Sequence, residues 1–256
     1  MINWSNFDNA IGSYGKNPPF DHCVIDDFFE SHIADLLADE FPSYDSSKWF
    51  IYKNAIEDKK ALNDWNAFPK TTYQVFSTFY SSKMVKILGR LVGTKVFPDH
   101  GLHGGGWHMH GPGGNLNPHL DYSIHPKMLK ERKLNIIVYM SKEMKNEYGG
   151  HLGLWIENNG QPGELVAEIE PKFNRAVLFD TTQNSWHGMS RPLIQPPGIF
   201  RKSLAVYFMS EPTSNATERG RALFAPRKEQ QGDTAIEELI AARSNVDLSS
   251  SVYRKT

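Results

Sequence analysis

"GGNLNPHLDYS" (residues 113–123) and "SWHG" (185–188) decide how this chain folds. The first contains His119-Leu120-Asp121, and the second places His187 66 residues beyond Asp121. Two imidazoles and one carboxylate make up the 2-His-1-carboxylate facial triad, which holds Fe(II) on three adjacent corners and leaves the others open. Alternate residues of a strand project from the same face, so on a strand His119 and Asp121 leave together. The third ligand must arrive from a distant strand, which the long gap allows. In a chain with ten histidines, H-x-D…H arises easily by chance, so its surroundings carry the weight.

Working outward, "RKSLAVYF" (201–208) begins fourteen residues after His187 and reads as a buried strand with a basic residue at its entrance. An arginine there can grip a carboxylate through two parallel hydrogen bonds. Ser203 has the parity of Arg201 and faces the same way. From Val96 onward the hydrophobic period is strand-like and broken by Gly and Pro. "LHGGGWHMH" (102–110), "KLNIIVYM" (133–140), "GGHLGLWI" (149–156), "LVAEIE" (165–170) and "RAVLFD" (175–180) are the other predicted strands. Upstream, "ESHIADLLADEF" (30–41) and "KTTYQVFSTFYSSKMVKILGRLVG" (70–93) carry helical spacing, with Pro42 ending the first. "FDHCVIDDFF" (20–29) predicts a short strand, and residues 1–19 a loose polar arm.

Helices followed by short strands predict a mainly β fold with flanking helices, a double-stranded β-helix of the jelly-roll, cupin-like type. The expected organisation is one domain over 1–256: helical N-terminal support (1–95), jelly-roll core (96–212) and a polar C-terminal extension (213–256). Within the extension, "TAIEELIAARSN" (234–245) predicts a terminal helix.

Residues 96–211 resemble the prolyl-4-hydroxylase-like branch of the Fe(II)/2-oxoglutarate dioxygenases. The pieces are "GGNLNPHLDYS", "RKLNIIVYMS", "YGGHLGLW", "PKFNRAVLFDTTQNSWHG" and "FRKSLAVYF", in the family's order, with "PPFDHCVIDDFF" as a family-like lead-in. The resemblance implies that His119, Asp121 and His187 bind Fe(II) and that Arg201 binds the C5 carboxylate of 2-oxoglutarate. The insert "GMSRPLIQPPGIF" (188–200) separates His187 from Arg201 by more than in the animal enzymes, so Lys202 and Arg191 remain alternatives. The branch often reaches the keto acid with a tyrosine from the strand containing Tyr139, which makes Tyr139 a further candidate; core packing is the competing reading. Implied too are O2 as co-substrate, room for ascorbate, and oxidative decarboxylation of 2-oxoglutarate coupled to C–H hydroxylation. The substrate would be a peptidyl prolyl residue, a free amino acid or another small molecule. The alternative is a catalytically silent cupin-like metal-binding or structural protein, against which an arginine on the last core strand argues.

Other residues divide between a site and the bland reading. His108 and His110 share one face of "WHMH" just ahead of His119, so they either line the substrate entrance or sit on the outer face of an edge strand. Asn115 and Asn117 either bond the keto acid or cap loops. Arg132 and Lys133 read as a solvated strand end, and His125 and His151 as structural.

Composition sets bounds. With 256 residues, 39% hydrophobic and 12% aromatic, the chain can bury a full core. A net charge of −1 gives no reason to expect a nucleic-acid partner held by phosphate contacts. The single cysteine, Cys23, excludes an internal disulfide and a Cys-rich zinc site, and reads as a small buried apolar residue. There is no 18-residue apolar run and no signal-peptide pattern at the N-terminus, so no membrane association and a cytoplasmic location are expected. Oligomeric state is not legible.

Overall fold

Residues 1–214 and 216–253 are described by a computed structural model. From the N-terminus run α1 (Trp4–Ile11), β1 (His22–Ile25), α2 (Ser31–Asp39), β2 (Phe50–Lys53), β3 (Glu57–Leu62), α3 (Lys70–Phe79) and α4 (Ser82–Leu91). Strands follow: β4 (Phe97–Pro98), β5 (Gly106–His110), β6 (Asn115–Leu116), β7 (His119–Leu120), β8 (Glu131–Tyr139), β9 (Leu152–Asn158) and β10 (Gln161–Ile169). The chain continues through β11 (Ala176–Asp180), β12 (Trp186–Met189), β13 (Arg201–Ser210), β14 (Leu223–Phe224) and α5 (Thr234–Ser244).

These strands form the two antiparallel sheets of a jelly roll, as the period change at Val96 predicts. The larger runs β1-β11-β8-β13-β5-β3-β2, with β4 added to β13 and β6 to β3; the smaller runs β10-β9-β12-β7-β14. Alternation sorts the larger sheet into two faces. Leu134, Ile136 and Val138 of β8, Leu204, Val206 and Phe208 of β13, and Trp107 and Met109 of β5 are buried together against Leu37, Phe76, Phe79 and Leu88 of the helices. Each such side chain contributes about 1.5–3 kcal/mol on burial, which is what fixes the helices on that face. Their odd or even neighbours, including Asn135, Ile137, Arg201, Ser203, Ala205, His108 and His110, turn the other way and line a cavity closed by the smaller sheet.

The first 95 residues depart from a purely helical support. β1 pairs with β11, and the β2–β3 hairpin extends the larger sheet beyond β5. The hairpin escaped notice because β3 reads "EDKKAL": its charges hide the alternation that points Lys59 and Ala61 inward. Residues 1–19 are not simply a loose arm, since α1 buries Phe7 completely. The predicted 70–93 helix is two helices. The second, from Ser82, is capped by Ser81, whose hydroxyl accepts from the Met84 N–H at 3.3 Å. Cys23 is buried, and burial pushes its thiol up to about 12, so it packs as a small apolar residue. The terminal helix forms as α5, capped by Asp233. No helix among the described residues is long and apolar enough to cross a membrane.

Candidate metal and cofactor site

β7 and β12 are neighbours in the smaller sheet, and His119 and His187 are register partners across them. Their rings lie 4.3 Å apart, centroid to centroid. Asp121 follows β7 directly. Its Oδ1 is 3.7 Å from His119 Nε2 and its Oδ2 is 3.8 Å from His187 Nε2. One donor atom from each of the three residues lies within 4.8 Å of the others. Gly188 makes the approach possible. A Cβ there would meet the Asn117 carbonyl oxygen at 2.6 Å and Pro118 N at 2.9 Å, both backbone atoms that cannot swing away. Its role is close contact between β12 and the segment that leads into β7.

Both imidazoles present an unprotonated nitrogen to the cavity. His119 Nδ1 donates to the Asn117 carbonyl at 2.9 Å and His187 Nδ1 to the Ser185 carbonyl at 2.8 Å. A carbonyl only accepts, so the proton sits on Nδ1 and the Nε2 lone pair points inward. Burial, followed by the charge of its partner His187, pushes His119 well below the ordinary histidine range, and burial also lowers His187. Burial works to raise the Asp121 pKa, but the Arg132 guanidinium leads the groups that outweigh it and hold it below the usual carboxylate range. Asp121 Oδ2 is nevertheless a buried oxygen without a hydrogen-bond donor among the described residues. Two inward lone pairs, one ionised carboxylate and one orphaned oxygen fit a divalent cation of the borderline class that includes Fe(II).

Arg132 is the member of this site that sequence reading missed. It is buried rather than solvated: the guanidinium carbon sits 3.3 Å from the Tyr207 ring centroid and 4.5 Å from that of Tyr122. Its Nη2 lies 3.5 Å from Asp121 Oδ2. Two aromatic faces and a carboxylate replace the water it gives up. A charge at a strand start signals nothing in itself; parity with Leu134 and Ile136 would turn Arg132 to the helix-packed face, but the register shift between the Leu134–Phe208 and Arg132–Met209 pairs turns it to the cavity instead.

Facing the triad across a cavity of about 330 Å³ is the larger sheet. Arg201 opens β13, is 5% exposed, and donates from Nε to the Gly150 carbonyl at 2.7 Å. Its Nη2 is 3.3 Å from the Tyr139 hydroxyl. Among the described residues, no carboxylate lies within ion-pair distance of this guanidinium, so its charge is available to a ligand. Gly150, at φ +69, leaves the room it occupies: a Cβ there would meet Arg201 Cδ at 2.9 Å. The alternatives are committed elsewhere. Arg191 is exposed and forms a fork with Glu168 at 3.0 and 2.7 Å, and Lys202 lies on the opposite parity, over the Phe41 ring. Ser203 lines the cavity. Tyr139 does not; it packs with Leu152, Leu154 and Phe179 and touches the site through Arg201.

His110 is the register partner of Arg201 and His108 of Ser203, so both histidines stand on the cavity wall. Among the described residues, neither nitrogen of the buried His110 has a hydrogen-bond partner, whereas His108 Nε2 is 3.1 Å from the Gly104 carbonyl. Asn115 and Asn117 do not face the cavity. Their amides bond Arg227, Gln230, Ala55 and Ala225, tying the C-terminal extension to the core. His125 is structural: Nδ1 accepts from the Lys127 and Met128 N–H groups. His151 likewise bonds Asn146 at 2.7 Å. The extension itself reaches the site. β14 pairs with β7, and the Phe224 ring stacks on His119 at 5.0 Å, a contact no pattern in the polar 213–256 segment announces.

Residues 105–209 match the 2OG-Fe(II) oxygenase superfamily, whose name carries Fe(II) and 2-oxoglutarate, as the sequence resemblance implied. The chain is 34% identical over 85 residues to Prolyl 3-hydroxylase OGFOD1 of Xenopus laevis; the match spans 33% of this chain and 16% of that protein. Its fold is similar to that of a Pseudomonas putida prolyl-4-hydroxylase, with a TM-score of 0.58 at 14% identity over 81% of this chain and 98% of the other. It is also similar to a Trichoplax adhaerens prolyl hydroxylase in complex with a hypoxia inducible factor peptide fragment, with a TM-score of 0.53 at 16% identity over 82% and 94%.

Proposed function

We infer, from the match of residues 105–209 to the 2OG-Fe(II) oxygenase superfamily, that this chain is an Fe(II)- and 2-oxoglutarate-dependent hydroxylase. The observation that carries the reading is the pairing of a buried His119-Asp121-His187 donor set with a buried, carboxylate-free Arg201 across one cavity. In this reading the three residues hold Fe(II), and Arg201 holds the C5 carboxylate of 2-oxoglutarate with Ser203 beside it. Tyr139 orients Arg201. Bound Fe(II) and the keto acid supply the oxidising chemistry, with O2 consumed and 2-oxoglutarate split to succinate and CO2.

The chain's own residues do the rest. Asn117 and Ser185 carbonyls keep each imidazole proton on Nδ1 and each Nε2 free. Arg132 keeps Asp121 ionised and oriented. The apolar walls Ile137, Leu152 and Ala205 exclude water, so the charges around the ligand act at low dielectric. His108 and His110 stand where they can meet prime substrate or, for His110, the keto acid. A peptidyl prolyl residue is a natural substrate candidate, given the prolyl hydroxylases that this chain is similar to; a free amino acid or another small molecule is equally compatible with the cavity. Residues 1–256 act as a single oxygenase unit in this account, since β3, β14 and the core strands all border one cavity.

The test is turnover. Purified protein with Fe(II), 2-oxoglutarate and O2 is expected to form succinate, and a prolyl-peptide and amino-acid screen by mass spectrometry to yield a product with one added oxygen atom. Succinate formation absent in wild type, or undiminished by Asp121→Ala, contradicts the oxygenase reading and leaves a silent metal-binding protein.

A further inference from the structure

We infer that the prime substrate carries an anionic group, a carboxylate or a phosphate, and that Arg221 receives it. This deepens the oxygenase reading by naming the substrate class of the same cavity. Among the described residues that line it, five are cations, Lys59, Arg132, Arg201, Arg221 and Arg243, and one, Asp121, is a carboxylate. Glu57, fully buried just behind the lining, is the second carboxylate within reach. It accepts from Arg243 Nε at 2.6 Å and lies 3.7 Å from Lys59 Nζ.

The partners can be assigned one by one. Arg132 faces Asp121, Arg243 and Lys59 share Glu57, and Arg201 is taken by the keto acid. Arg221 is left over. Its Nε is buried and has no hydrogen-bond partner, and no carboxylate lies within ion-pair distance among the described residues. Its charge is felt at His103 and at Tyr52, which both line the cavity. The segment is not free to swing away, because Leu223 and Phe224 pair with Leu120 and His119 two residues on. Fe(II) and the dianion of 2-oxoglutarate cancel, so the loaded cavity keeps three more positive than negative charges. A cationic substrate would be repelled. A neutral one would leave a buried guanidinium nitrogen unsatisfied, which costs more than a hydrogen bond returns. An anion supplies the missing acceptor with the missing charge.

The experiment uses the full chain loaded with Mn(II), which allows binding to be read without turnover, and saturated with 2-oxoglutarate. Two matched probe pairs are titrated by calorimetry: N-acetyl-proline against N-acetyl-prolinamide, and glycerol 3-phosphate against glycerol. In at least one pair the anion should bind roughly tenfold or more tightly than its neutral partner, the step a charge-assisted hydrogen bond supplies. The pair that shows it identifies carboxylate or phosphate as the source. Arg221→Gln should bring that ratio close to one, and Arg221→Lys, which keeps the charge, should retain part of it. The inference is overturned if no anion outbinds its neutral partner, if the preference survives Arg221→Gln, or if Arg221→Lys loses it as fully as Arg221→Gln. The preceding 2-oxoglutarate titration separates this from the oxygenase reading. Failure of the keto acid to bind refutes that reading alone, while the probe ratio still reports on Arg221.

Discussion

Replacing Arg201 with alanine should abolish most of the affinity for 2-oxoglutarate while leaving the metal in place. Arg201 is buried on the cavity wall, its Nε held by the Gly150 carbonyl at 2.7 Å and its Nη2 3.3 Å from the Tyr139 hydroxyl. That arrangement fixes the guanidinium plane before any ligand arrives, so little rotamer freedom remains to be lost on binding. Hydrogen bonds to a charged group contribute on the order of 1.5–3 kcal/mol, which corresponds to roughly ten- to a hundredfold in Kd. Arg201→Lys should recover only part of this, because an ammonium cannot reproduce the planar fork and also leaves the Gly150 carbonyl and Tyr139 hydroxyl without their donor. Arg191→Ala should have little effect, since Arg191 is exposed and paired with Glu168. Lys202→Ala should have little effect either, since Lys202 lies on the other face of β13. The assay is calorimetric titration of 2-oxoglutarate into Mn(II)-loaded variants. If Arg201→Ala binds the keto acid as wild type does, or if Arg191→Ala or Lys202→Ala carries the loss instead, the assignment of the carboxylate clamp is wrong.

Gly188→Ala should push β12 away from β7, costing about 1–3 kcal/mol of stability by overpacking and weakening metal binding, because the added Cβ meets backbone atoms of Asn117 and Pro118; unchanged melting temperature and metal affinity would contradict this. Arg132→Gln should weaken metal binding by about ten- to a hundredfold, the usual effect of removing a partner behind a ligand. Its pH dependence has a definite sign. The Asp121 pKa is held below the usual carboxylate range, so the ionised form survives as pH falls and is lost only on passing the lowered value. Removing Arg132 raises that value, so metal release on acidification should move to higher pH, and a shift to lower pH would refute the role. His108→Ala should leave 2-oxoglutarate affinity intact and reduce coupled hydroxylation relative to succinate formation, whereas His110→Ala, opposite Arg201, should weaken the keto acid; the two variants behaving alike in both assays would remove the distinction.

How much of this was legible before the structure depended on what each residue's neighbours could signal. H-x-D, the distant His187 and the Arg-x-Ser parity survive in sequence because each needs a particular residue type on a particular strand face. The strand over 133–140 is legible in the same way and forms as β8. Arg132 could not be read, because a guanidinium is buried only when tertiary structure brings Asp121, Tyr122 and Tyr207 to it. The β2–β3 hairpin and the 213–256 extension were hidden for a related reason. Lys59, Arg221 and Arg243 make these segments look solvated, and only the closed sheet turns those charges inward. Asn115 and Asn117, open in sequence between a site role and a loop-capping one, face away from the cavity and anchor Arg227 and Gln230.

The most direct test is equilibrium binding of Fe(II), with Mn(II) as an air-stable surrogate, to wild type and Asp121→Ala, each followed by 2-oxoglutarate. The account predicts one metal ion per wild-type chain, keto-acid binding only to the metal-loaded form, and loss of both in Asp121→Ala. Metal stoichiometry unchanged in Asp121→Ala, or 2-oxoglutarate binding equally well without metal, would contradict it.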